Sequence, residues 1–174
     1  MKNIYLILSL GLLTVLSCTK VDLDLNPPSL EFIQLSPFPS PDQICGTMED
    51  SVFHLNSGDQ LSFEVLLSDN QALSQFKIDI HNNFDCHGHG GASTPGFSVP
   101  SVTNQTVDWT ILETQDVNGT EETVIKVLDV PVNVTAGNYH FQLQVLDESG
   151  NDIPFSNFYS LKILNSRDTI APVI

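Results

Sequence analysis

Three of the chain's five histidines, one of its three cysteines and an aspartate fall within His81–Gly91, HNNFDCHGHGG. Small or flexible residues make up most of what separates them. Neutral imidazole nitrogens bind zinc or copper at about 2.0–2.1 Å, and three or four donors must converge on one point to hold the ion. His87-Gly88-His89 offers two such donors on a flexible loop, and Asp85 could ligate or hold an imidazole's second nitrogen. Two histidines flanking a glycine do not make a site by themselves. Rigid elements must bring further donors to them, so the positions of His81, of His140 in NYHFQLQV and of His54 in VFHLNSGD decide the matter.

Apolar residues after position 29 follow a two-residue alternation, bounded by Gly, Pro, Asn and Asp, with no convincing helical period. Leu61, Phe63, Val65 and Leu67 alternate with polar residues, as do Phe76, Ile78 and Ile80. The pattern recurs at Val107, Trp109 and Ile111, at Val124, Leu128 and Val130, at Tyr139, Phe141, Leu143 and Val145, and at Tyr159, Leu161 and Ile163. With LEFIQL at 30–35 this makes about seven short strands. The expected fold is therefore all-β, an immunoglobulin-like antiparallel β-sandwich over residues 30–165. LSDNQALSQ (66–75) and LDESGND (146–152) read as compact turns, so Asp69, Asn70 and Asp147 are taken as turn-forming residues in preference to calcium ligands. The stretch from Asn82 to Ser101 lacks alternation, and a loop that long in a compact domain is usually functional or disordered.

The sandwich predicts where the histidines land. Lettering the strands A to G, Phe76, Ile78 and Ile80 of strand C point inward, so Asp79 and His81 point out. Tyr139, Phe141 and Leu143 of strand F point inward, so His140 points out. Strands C and F are antiparallel neighbours in such sheets. The end of C then lies beside the start of F, and His81 should meet His140 on one outer face. The loop with Asp85, Cys86, His87 and His89 leaves from that end, and His54 is placed there too, in the connection into strand B. All five histidines are thus expected at one pole, with Asp79 or Asp85 as ligand or outer partner.

The start of the chain suggests export. Lys2 precedes an apolar run, Ile4 to Leu16, too short for a permanent span but suited to a signal peptide. It leads to Val15-Leu16-Ser17-Cys18, similar to a bacterial lipobox. Residues 1–17 would be removed and Cys18 lipidated, with residues 18–29 as tether, anchoring the protein without a transmembrane helix. Removing Lys2 leaves five basic against 21 acidic residues, a formal net charge of −16. A surface that acidic repels nucleic acid and anionic headgroups and attracts cations. Cys45 and Cys86 remain, and an oxidising compartment allows them one bridge, with Cys86 as a metal ligand the alternative. Residues 166–174 contain RDTIAPVI, which reads as a trailing strand or the opening of a second repeat, and its likeness to a cadherin linker keeps calcium as a lesser possibility.

SDNQALSQFKIDIHNNFDCHGHG and AGNYHFQLQVLDESGN resemble a family of Bacteroidota lipoproteins catalogued as domain of unknown function 4625, over roughly residues 27–165. The resemblance implies an exported, lipid-anchored, immunoglobulin-like domain and supplies no activity. It also implies glycine rather than cysteine at position 86, which favours a private bridge to Cys45. DSV at 50–52 and DTI at 168–170 resemble an O-glycosylation motif of these bacteria.

Three classes of function compete on these residues. The first is a metal-binding outer-membrane lipoprotein, on the periplasmic or cell-surface side, holding zinc or copper through His81, His87, His89 and His140, with His54 the least certain ligand. The second is a surface module for an envelope protein or glycan partner. The third, an enzyme, is disfavoured: no Gly-x-Ser-x-Gly elbow or persuasive Ser-His-Asp set occurs, and Asp85 is the only obvious base near the histidines.

Overall fold

The computed structural model describes residues 23–87, 107–153 and 158–164. The expected signal segment, Cys18, His89, the tripeptide at 168–170 and the C-terminal RDTIAPVI lie outside the described residues. Among the described residues nine strands run in the order β1 (Ser29–Ser36), β2 (Ser40–Ile44), β3 (Thr47–Asn56), β4 (Gln60–Ser68), β5 (Leu73–Asn82), β6 (Ile111–Asp116), β7 (Glu121–Asp129), β8 (Gly137–Asp147) and β9 (Phe158–Leu164). They form a three-stranded sheet, β1-β4-β7, facing a six-stranded one, β2-β3-β9-β8-β5-β6. The chain is an all-β sandwich, as the alternation requires.

Period-two burial builds its core. Leu61, Phe63, Val65 and Leu67 of β4 face Phe76, Ile78 and Ile80 of β5 and Tyr139, Phe141, Leu143 and Val145 of β8, all of them buried. Phe32, Phe53, Phe63, Phe141 and Tyr159 form an aromatic cluster with ring centroids 5.5–6.2 Å apart. Such edge-on and tilted pairs add to the area they bury. At the start of β8 the Tyr139 hydroxyl donates to the Thr135 carbonyl at 2.7 Å and accepts from the Trp109 amide at 3.5 Å. That is the arrangement of a tyrosine corner. Burial pushes the Tyr139 hydroxyl up to about 12.

Two departures from the expected strands matter. Residues 107–110 do not form a strand: Val107 makes an isolated bridge to Val134, Trp109 drops into the core, and β6 starts only at Ile111. The region taken as a connection into strand B is instead the β2–β3 hairpin, and β3 runs parallel to β9, so the larger sheet is mixed. Its turn is Cys45-Gly46, at φ +49° and +84°. Two-residue hairpins need positive φ at both central residues, and Asn-Gly or Asp-Gly is their usual sequence signal. Cysteine in the first position hides the turn, because its conformation is fixed from outside, by a disulfide to Cys86.

Candidate metal centre

Register sets the first two donors. On the antiparallel pair β5–β8, His81 is opposite His140. Both lie on the outer face because Ile80 and Phe141, their neighbours, are buried in the core. Directly opposed residues hold their Cβ atoms about 4.5–5.5 Å apart, and the two imidazole centroids are 5.3 Å apart at 89°.

The third donor needs more construction, because His87 lies beyond the end of β5. Three contacts hold its segment. The Asn83 amide donates to the Asn138 carbonyl at 2.8 Å, extending the ladder by one residue. Phe84 lays its ring edge-on to Tyr139, 5.2 Å away, and over Gly137. A Cβ at Gly137 would stand 2.8 Å from that ring, and its φ of +148° also suits glycine alone. Cys86, immediately before His87, is bound to Cys45, with the Asn83 and Asn138 amides 3.8 Å from Cys45 Sγ. Cys86 is therefore not a thiolate ligand.

So held, the His87 ring stacks on His81, with centroids 5.5 Å apart and 16° between planes, and meets His140 at 5.0 Å. One ring nitrogen from each of His81, His87 and His140 lies within 4.8 Å of the other two. Phe158 of β9 packs edge-on against His140 at 5.9 Å. All three histidines are half-buried.

Of the two places that the sequence left open to Asp79 and Asp85, ligand or outer partner, both take the second. Asp79 Oδ1 lies 2.8 Å from His81 Nδ1, and Asp85 Oδ1 lies 2.6 Å from His87 Nδ1. An ionised carboxylate only accepts, so Nδ1 is the donor in both rings. Each Nε2 is left to face another partner. This is the carboxylate–imidazole pairing that fixes the tautomer and orientation of metal-ligating histidines. The His87 hydrogen bond holds the Asp85 carboxyl below its ordinary range.

His54 does not join the group. It sits on β3, two strands from β8 and so about 10 Å away at sheet spacing. Its Nε2 lies 2.9 Å from Asp42 Oδ2, and its Nδ1 lies 3.3 Å from the Ser40 hydroxyl. Lys162 donates to the same Asp42 oxygen at 2.5 Å. Together Lys162 and His54 hold the Asp42 carboxyl far below the usual range. Register through β9, from His54 to Lys162 to Asn138, leaves His54 at the same end of the sheet as His140, but β9 stands between them and keeps it out of the group. Sequence reasoning also missed Phe84, Gly137 and Phe158. Only Gly137, at the head of an alternating run, left a readable signal.

The chain belongs to the family described as Domain of unknown function (DUF4625), which it matches over residues 16–161. The resemblance read from the residues is borne out. No curated protein matches the chain significantly. Among solved structures, OgpA from Akkermansia muciniphila is 10% identical with a TM-score of 0.42, covering 80% of this chain and 30% of that one. A family 123 glycoside hydrolase from Clostridium perfringens is 13% identical with a TM-score of 0.42, covering 80% and 27%. A chitin-binding domain from Burkholderia pseudomallei is 9% identical with a TM-score of 0.37, covering 66% and 58%. The chain spans less than two thirds of each of these chains. Likenesses this distant carry no argument about activity.

Proposed function

We propose that this member of the family is an envelope lipoprotein that binds one transition-metal ion, zinc or copper, through His81, His87 and His140. One observation carries the reading: three imidazoles converge while two of them have their Nδ1 atoms fixed by Asp79 and Asp85. Imidazole donors suit zinc and copper rather than calcium or magnesium. An ion at 2.0–2.1 Å from each nitrogen in tetrahedral geometry would draw the donors to roughly 3.3 Å of one another. From within 4.8 Å, side-chain rotation and a small movement of the His87 segment suffice. Three protein donors leave a fourth position for water or another side chain, and His89 is the sequence's candidate for it. Cys18 is the proposed lipid attachment, and replacing it with alanine should abolish incorporation of labelled palmitate.

The test is metal analysis and calorimetry on the untagged full chain in detergent, beside His81→Ala/His140→Ala. One tight equivalent of zinc or copper in the parent, lost in the double variant, is the expected outcome. No tight metal, or equal metal in both, would sink the reading. The alternative would then be a non-catalytic module for a protein or glycan partner, sought by pull-down.

A further inference from the structure

The opposite end of β5 and β8 holds a second convergence, built from oxygen alone. Asp24 comes from the segment before β1, Asp69 from the β4–β5 loop and Asp147 from the last position of β8. One carboxylate oxygen of each lies within 4.8 Å of the other two. Asp24 and Asp147 are only 4% and 2% exposed.

Their partners are neutral. Asp24 accepts from the Asn26 amide and from Asn70 Nδ2, each at 3.0 Å. Asp147 accepts from the Asn151 backbone and side-chain amides, each at 2.7 Å. Asp69 Oδ1 accepts from the Gln71 and Ala72 amides, both at 2.8 Å. Its other oxygen, Oδ2, is fully buried and has no hydrogen-bond partner. Among the described residues no lysine, arginine or histidine pairs with these three carboxylates. The three lysines among the described residues are committed elsewhere, Lys77 to Asp79, Lys126 to Glu113 and Lys162 to Asp42.

Carboxylates this close, partly out of water, repel one another by several times thermal energy. Turn formation explains Asp69 Oδ1 and both oxygens of Asp147. It explains neither the burial of Asp24 against them nor the orphaned Asp69 Oδ2. A bound cation explains both. With no nitrogen or sulfur donor in the set, the cation is a hard one. Donors drawn from a terminal segment, a loop and a strand end suit calcium, which takes six to eight oxygens in flexible geometry, better than magnesium, which demands a near-ideal octahedron. Asn70 and Asn151 can present Oδ1 in place of Nδ2 by rotating their amides, since the two orientations have the same shape.

We propose that Asp24, Asp69 and Asp147 form a calcium site that pins the N-terminal segment to the end of the sandwich opposite the histidines. The Asn151 side chain already donates to the Asp24 carbonyl at 3.1 Å, so the ion completes an attachment that the protein half makes. The site stands independently of the histidine cluster.

The test uses the untagged full chain in detergent, stripped of metal with a chelator and dialysed. Calcium chloride alone is added while melting and calorimetry are followed. One equivalent should bind, and at a hundredfold excess over Kd the melting temperature should rise by on the order of 5 °C. Asp69→Asn should lose the rise. Asp24→Asn, which alters no strand, should lose it too and guards against a variant that fails to fold. No calcium-dependent shift at millimolar concentrations, or undiminished binding in both variants, would overturn the site. An equal response to magnesium at equal concentration would overturn the assignment to calcium.

Discussion

The two ends of the β5–β8 pair differ in donor chemistry and in how the donors arrive. At one end His81 and His140 stand opposite each other in strand register, with a third imidazole added just beyond β5. At the other, three carboxylates meet from a terminal segment, a loop and a strand end. Asp147 lies seven positions along β8 from His140, on the order of 23 Å at about 3.3 Å per residue. One strand pair thus carries nitrogen donors at one end and oxygen donors at the other, far enough apart for each to be altered alone. A strand fixes the direction of a side chain through its parity. A loop fixes it only through contacts made after folding.

The largest expected effect is a double dissociation. His81→Ala/His140→Ala should abolish stoichiometric zinc or copper and leave the calcium response intact, whereas Asp69→Asn should do the reverse. Calorimetry with each metal on each variant checks this, and loss of both ions in either variant would break the comparison.

Next is the disulfide. Replacing Cys45 and Cys86 together with serine frees a loop of 41 residues, which the chain-entropy model values at about 4 kcal/mol. Denaturant unfolding measures that loss. The same variant should weaken zinc more than calcium, because the bridge holds the segment that carries His87.

Asp79→Asn sharpens the histidine end. Loss of an outer-shell carboxylate typically lowers metal affinity 10- to 100-fold, so the site should persist with weaker zinc. An unchanged Kd by competition titration would remove Asp79 from it.

Tyr139→Phe tests the scaffold on which both ends depend. It removes the hydrogen bond to Thr135 and should cost about 1 kcal/mol by denaturant unfolding. In the parent, burial raises the folded hydroxyl to about 12, against roughly 10 in the unfolded chain. The folded state then holds this proton more tightly. Its contribution is fully present below about pH 10 and is lost as pH rises towards 12. The Phe variant should lack that part of the alkaline decline.

The smallest effect is expected at His54. His54→Ala should leave zinc stoichiometry unchanged, since Asp42 and Ser40 hold that ring on the far side of β9.

Much of this could be read in the chain itself. Alternation at 61–67, 76–80 and 139–145 fixes which residues face the core, and parity then places Asp79, His81 and His140 outside. Strand adjacency brings the last two together. The β2–β3 hairpin was not readable, because Cys45-Gly46 replaces the usual turn residues and its geometry depends on a cysteine 41 positions away. With it went the strand order that sets His54 two strands from β8. Nor could local sequence show Asp24 beside Asp147, whose loop partner Asn151 lies 127 positions from Asp24.

The sequence by itself determined what depends on short range: strand periodicity, the two faces of each strand, the acidic balance and the supply of imidazoles. Tertiary structure alone decided which carboxylates would orient His81 and His87, that Cys86 would be a bridge and not a ligand, and that three aspartates would converge. The physical reason is that side-chain parity repeats every two residues along a strand, whereas convergence of distant segments is fixed only when the core closes and brings their loops together.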